Sequence, residues 1–224
     1  GSTYDQILAH YYQGTTMEEG GVLAPIKIGL LTKQSEISLT CAGIFYIYDG
    51  VASEVALITM ANPGDTWKVN MSAEGKYQVI NPDGTLFRTC TGPIIFSSAS
   101  PGSNFLQLPQ KGTYSHFRGN MIVQSLSDGL AAINELPFEE YLYGVVPSEM
   151  PSSWPAEALK AQACAARNYA FKNIGKHGNY YDLCASTHCQ VYLGCDHEAT
   201  STNAAVDATA GKLIMSNGSP IMAY

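Results

Sequence analysis

The sequence has no run of about 18 apolar residues, so no transmembrane helix is expected from it. Basic residues are scarce. Lys and Arg total 12 against 19 Asp and Glu, for a formal net charge of -7. No basic stripe is visible, which argues against a nucleic-acid binder. A sugar polymer stays open as a ligand, since sugars are read by hydrogen bonds and aromatic faces rather than by charge. There is no internal repeat and no low-complexity tract. No leader pattern opens the chain. Gly1-Ser2 reads as a cloning remnant, so the natural start is expected upstream. Hydrophobic residues make up 46% of the 224 positions, enough to bury the core of one large domain or two small ones.

The chain is organised around LPFEEYLYGVVPSEMPSSWPAEALKAQACAARNYAFKNI, Leu136 to Ile174. It reads as a short amphipathic turn, a loop, then a long helix. Pro147 and Pro151 bracket the loop and stiffen it around Ser148, Glu149 and Met150. Ser153 is the expected N-cap of the helix, Pro155 fits its first turn and Gly175 its stop. Lys160, Cys164, Arg167 and Phe171 form a stripe at steps of three and four. Two readings fit that stripe: a cleft wall, on which Lys160 and Arg167 position a carboxylate or substrate anion, or a solvated face.

Upstream, residues 3–13 have a helical pattern that Gly14 ends. From Ile26 to Val123 the texture is β: IKIGLL, EISLTC, IFYIYDG, EVALITM, WKVNM and KYQVI are short, β-branched or aromatic runs. Pro82-Asp83-Gly84 and Asp128-Gly129 read as hairpin turns, and Asp49-Gly50 as another turn. Gly92 to Lys111, poor in charge and rich in Ser, Pro and Gly, reads as a long surface connection. Downstream, NAAVDATAG is helix-like, KLIMSN is a strand, and Asn217-Gly218 turns into SPIMAY. The expected fold class is α+β. A β-rich part (26–135) precedes a helix-bearing part (136–224), with residues 1–20 as a helical segment, all in one groove-bearing unit.

Two constellations can carry chemistry. Glu149 is either a catalytic carboxylate or a loop glutamate capping the helix behind it, and spacing alone favours the cap. Val145, Val146, Met150 and Trp154 give it apolar neighbours in sequence, and desolvation in such a setting raises a carboxyl pKa. Glu139 and Glu140 sit in an amphipathic turn and are expected to face solvent. The second constellation is His177, Cys184, His188 and Cys189, with Cys195 as a substitute ligand. Thiolates and imidazoles at these spacings can fill a tetrahedral zinc site, and four protein ligands would make it structural. A Cys184–Cys195 disulfide and free thiols are the competing readings, and Cys41 could pair with Cys90. Nothing selects one thiol as a protease nucleophile. Gln190 and Tyr192 suit either sugar hydroxyls or the core.

LPFEEYLYGVVPSEMP followed by WPAEALKAQACAARNYA resembles the stage II sporulation protein D family, which includes the amidase enhancers of bacterial cell walls. The resemblance resumes at DLCASTHCQVYLG and continues more weakly through NAAVDATAGKLIMSNGSPIMAY. Residues 3–15 resemble a stretch found near the end of that family's domain, so the chain is expected to be a piece of a longer protein. Residues 3–15 should then dock where SPIMAY enters.

The resemblance implies export to the cell envelope and peptidoglycan glycan strands as substrate. The family includes lytic transglycosylases, and the glutamate of its SEMP motif falls on Glu149. Hydrolysis of a glycosidic bond usually takes two carboxylates, whereas a lytic transglycosylase can work with one. It protonates the bridging oxygen, then as a base helps the muramic C6 hydroxyl attack the anomeric carbon. The product has a 1,6-anhydro end. On this reading Ser148, Lys160, Arg167, Gln190 and Tyr192 support Glu149. The alternative is a non-catalytic wall-binding module that stimulates a cell-wall amidase.

Overall fold

The computed structural model describes residues 1–50 and 55–223. Helix α1 (Tyr4–Tyr11) and strand β1 (Thr16–Glu19) come first. Strands β2 (Ile26–Gln34), β3 (Glu36–Cys41), β4 (Phe45–Asp49), β5 (Ala56–Ala61), β6 (Trp67–Met71), β7 (Tyr77–Ile80) and β8 (Leu86–Cys90) come next. Then come β9 (Ile94–Ser98), β10 (Leu106–Gln107), β11 (His116–Phe117), β12 (Asn120–Leu126) and β13 (Gly129–Leu136). Helices α2 (Phe138–Glu149) and α3 (Ala156–Lys172) lead to β14 (Leu183–Cys184), α4 (Thr200–Asp207), β15 (Lys212–Ser216) and β16 (Ser219–Pro220).

The class is α+β, as expected, but the chain divides into two compact units rather than one. Lys27–Leu136 forms one; Gly1–Ile26 with Pro137–Tyr224 forms the other. Each closes its own core, which is why one continuous unit is not needed. In the β unit, strands run in the orders β2-β13-β12-β9-β4-β5 and β11-β10-β3-β6-β7-β8. Alternation sets the inward faces: Ile37, Leu39 and Cys41 of β3 and Phe45 and Ile47 of β4 are buried while their neighbours are not. The hairpin turns fall where the sequence places them. Leu126 pairs with Gly129 across the Asp128-Gly129 turn, and Gly84 takes the positive φ of 88° that the β7–β8 turn needs.

Gly92 to Lys111 is not a plain surface connection. It contains β9, hydrogen-bonded to both β4 and β12. Its serines mask an alternation in which Ile94, Phe96 and Ser98 point inward. Glu54, in the run that forms β5, and Tyr224, at the end of SPIMAY, lie outside the described residues. No disulfide joins any of the six cysteines, so neither the Cys41–Cys90 nor the Cys184–Cys195 bridge is formed; Cys41 and Cys90 serve as buried core residues.

In the other unit, α3 is central. Its Leu159, Ala163, Ala166 and Ala170 are buried, as the helical spacing predicts. Ser153 does not cap it. Pro155 occupies the cap position with no side-chain bond, since its ring carries no acceptor for the N–H groups of the first turn. Helix α1 docks on the same core: Leu8 packs with Ala161, Cys164, Ile214 and Ala223, with Ile221 alongside. Residues 3–15 thus meet SPIMAY in one cluster. β1, β15 and β16 form a three-stranded sheet. Its last turn uses positive φ at both Asn217 (50°) and Gly218 (74°), as a two-residue hairpin loop requires.

Candidate functional site

Glu149 does not sit in a proline-stiffened loop. It is the last residue of a 12-residue helix, α2, which runs straight through Pro147. Pro147 lies in the final turn, so only one ladder bond is lost, and Met150 N–H still closes the helix on the Val146 carbonyl at 3.0 Å. The Ser148 hydroxyl donates to the Gly144 carbonyl at 3.1 Å, which reinforces the same turn. Two contacts from downstream hold the end of α2 and the turn between α2 and α3. His197 Nε2 lies 3.2 Å from the Pro147 carbonyl oxygen, and Ser201 donates to the Ser152 carbonyl at 2.7 Å. These braces have no sequence signal beyond the residue types themselves.

The expected apolar setting of Glu149 is absent. Its side chain is exposed, and its carboxylate makes no hydrogen bond or ion pair with any described residue. Val145 and Val146 point into the core instead. Glu149 is therefore neither a helix cap nor a salt-bridge partner, and its carboxylate is open to a ligand. Glu139 and Glu140 are ten and nine residues back along α2, about 15 Å away at 1.5 Å per residue. That exceeds the ~5–9.5 Å carboxylate spacings of two-carboxylate glycosidases.

Glu139 does not simply face solvent. Arg167, with no side-chain exposure, donates to both of its carboxylate oxygens, with Nη2 to Oε2 at 2.7 Å and Nε to Oε1 at 2.9 Å. The remaining guanidinium donors reach the carbonyls of Val206 and Lys212 and the Thr209 hydroxyl. Arg167 is thus a buried brace joining α2, α3 and the α4–β15 segment, not a cleft wall. Lys160 pairs with Glu157 at 2.7 Å on its own helix and does not reach for Glu149.

Gln190 and Tyr192 also prove to be core. Gln190 accepts from the Tyr141 hydroxyl at 3.2 Å and donates to the Ala166 carbonyl at 3.3 Å, tying α2 to α3. Burial pushes the Tyr141 hydroxyl well above its ordinary pKa, so it stays a neutral donor. Tyr192 is buried with its ring against Gly144; a Cβ there would come within 2.6 Å of the ring.

The Cys/His set converges as the spacing predicts. The ligand atoms of His177, Cys184, His188 and Cys189 all lie within 4.8 Å of one another. His177 Nε2 is 3.3 Å from Cys189 Sγ, and His188 Nδ1 is 3.5 Å from both Cys184 Sγ and Cys189 Sγ. Those separations match the ~3.5 Å edges of a tetrahedron with metal–sulfur bonds of ~2.3 Å and metal–nitrogen bonds of ~2.0 Å. Cys195 lies outside the set, in the short turn Cys195–His197. Burial would raise the Cys184 thiol, but hydrogen bonds from Ser186, His188 and Cys189 together bring it down to about 6. Burial raises Cys189; a backbone hydrogen bond at Cys184 works against this, and the Cys184 side chain adds to it. The surroundings hold the ligands in place. His177 stacks on Tyr181 with centroids 4.9 Å apart, and Lys176 donates to the His188 carbonyl at 3.2 Å. The cluster can hold a metal ion through four protein ligands.

Residues 127–215, which take in α2, α3, the Cys/His cluster and α4, match the family described as Stage II sporulation protein. Over these residues the chain is similar to the stage II sporulation protein D family. A stretch of 110 residues is 39% identical to an uncharacterized protein of Brachyspira hyodysenteriae, covering 48% of this chain and 30% of that protein. An amidase enhancer of Bacillus subtilis is 47% identical over 82 residues, 37% of this chain and 11% of the enhancer. Stage II sporulation protein D of the same organism is 55% identical over 38 residues, 17% of this chain and 11% of that protein. The chain thus spans less than a third of the length of these relatives. No solved structure matches it. No helix among the described residues is long and apolar enough to cross a membrane.

Proposed function

We propose that this protein cleaves peptidoglycan glycan strands as a lytic transglycosylase, with Glu149 as the acid and then the base. The observation that carries the reading is the single carboxylate at the end of α2. It is exposed, unpaired and far along its helix from Glu139 and Glu140. A mechanism needing one proton-cycling group suits that arrangement better than a two-carboxylate hydrolysis. Glu149 protonates the bridging oxygen as the anomeric C–O bond breaks. It then takes the proton of the muramic C6 hydroxyl as that oxygen bonds to the anomeric carbon. The leaving strand keeps the first proton, the carboxyl regains the second, and no water is consumed.

His177, Cys184, His188 and Cys189 would hold a structural zinc ion, which would cross-link the segment after α3. With four protein ligands it leaves no position open for substrate. The protein would act outside the cytoplasm, at the cell envelope.

A second reading is favoured by one relative, named as an amidase enhancer. In it the chain binds the wall and stimulates a separate amidase without cutting glycan. One experiment separates the two. Purified glycan strands are digested with the parent and with Glu149→Gln, and the products are weighed by mass spectrometry. Anhydro ends formed by the parent and reduced by about 10²–10⁴ in the variant are expected. Equal cleavage by Glu149→Gln would rule out its role. Amidase stimulation that persists in Glu149→Gln, with no cleavage by either protein, would favour the enhancer reading.

A further inference from the structure

A groove of about 870 Å³ runs between α1 and α3 and reaches the segment just after Glu149. Its rim carries two exposed aromatic rings, Tyr11 at 75% and Trp154 at 52% exposure. Met150, the residue after Glu149, also lines it. Ala158, Ala161 and Ala165 lie on α3 at helical spacing and form its floor, so a ligand can approach the helix closely. Gln6 and Gln162 place amide donors and acceptors along its sides. Among the described residues no Asp, Glu, Lys or Arg lines the groove, although 14% of the chain is charged.

That lining decides between occupants. An anionic polymer would find no cation beyond His10. A purely apolar partner would leave the Gln162 amide and the Gln6 amide nitrogen without partners, the Gln6 Oε1 alone being held by the Thr3 N–H. A neutral amino-sugar chain satisfies both kinds of surface, because its ring faces stack on aromatics while its hydroxyl and acetamido groups bond to amides. We propose that this groove is a saccharide subsite, which binds one neutral N-acetylglucosamine unit of the glycan strand against Trp154 and Tyr11, beside Glu149, and leaves the carboxyl-bearing muramic units outside it. The inference rests on the glycan-strand reading above and adds where the strand lies. It also gives α1 a role, since α1 supplies one wall.

The test uses the full chain and its own fluorophores. The chain has two tryptophans. Trp67 is buried with no partner for its Nε1, so Trp67→Phe gives up no hydrogen bond and leaves Trp154 as the sole indole. Titration with the neutral tetramer of β-1,4-linked N-acetylglucosamine should change Trp154 emission and saturate. Calorimetric titration of Trp154→Ala and Tyr11→Ala should give affinities about three- to tenfold weaker, the worth of one aromatic stacking partner. Both positions are exposed, so the variants should melt with the parent. Tetramer binding with unchanged Trp154 emission and unchanged affinity in both variants overturns the groove while leaving the glycan reading intact. Absence of binding to both the tetramer and whole strands overturns the two together. An emission change caused by a purified cell-wall amidase, but not by the tetramer, assigns the groove to a protein partner and overturns the saccharide.

Discussion

Arg167 cannot shed its proton to escape the interior, because a guanidinium stays charged under all folding conditions. Its lack of exposure is tolerated only because Glu139 neutralises it and four further acceptors surround it. Glu139→Gln removes the charge and keeps the shape. It should lower stability by about 3 kcal/mol, the lower end for breaking a buried pair, since Glu139 itself keeps some contact with water. Urea unfolding reads this as a shift in midpoint. Arg167→Lys should not rescue the fold, because one ammonium cannot span both carboxylate oxygens. An unchanged midpoint in either variant would show that the pair is not the brace between α2 and α3. The stripe at steps of three and four placed Arg167 beside Cys164, but nothing local pointed to a partner 28 positions away. The same limit hid the state of Glu149. The SEMP motif marked it as a candidate, whereas its exposure depends on which way the last turn of α2 faces.

At the level of elements, the least legible was α2. Two prolines within five residues argue for a loop, yet Pro147 falls where a helix is already ending and costs it little. Helix α1 was legible, because Tyr4, Ile7, Leu8 and Tyr11 keep helical spacing. Its anchoring to α3 was not. That anchor is Glu157, which accepts from Lys160 Nζ and from the Tyr4 backbone N–H, each at 2.7 Å. The Lys160 bond first and the Tyr4 bond second hold its carboxyl below the ordinary 4.5. A carboxyl with a lowered folded-state pKa stabilises the fold above its unfolded value and loses that contribution as pH falls through the lowered one. Helix α1 should therefore be fully anchored above 4.5 and loosen in more acidic solution. Amide hydrogen exchange should report smaller protection factors over residues 4–12 in acid, before the rest of the unit opens. In Glu157→Gln that dependence should vanish, because there is no charge left to lose. Protection that stays constant through the acid range in the parent would contradict the anchor.

For the whole molecule, composition and periodicity made the α+β class legible, and the hairpin turns located most strands. The division into two units was not legible, because the second is discontinuous. Gly1–Ile26 and Pro137–Tyr224 are brought together by contacts that no local pattern announces. The Cys/His cluster was legible because its ligands lie within 13 consecutive residues, where chain length alone keeps them close. It belongs to the discontinuous unit, as does Trp154, whereas Trp67 sits in the core of the β unit. The tryptophans therefore report one unit each. If a structural zinc closes the cluster, its binding energy is part of the folding energy of that unit alone. Treatment with a chelator, or Cys184→Ser, should lower the melting transition followed through Trp154 in a Trp67→Phe background. The transition followed through Trp67 in a Trp154→Phe background should stay where it was. Elemental analysis should find about one zinc per chain in the parent and none in Cys184→Ser. A chelator that moves neither transition would remove zinc from the structure's account. A chelator that moves both equally would show that the two units melt as one and overturn the expectation of separate transitions.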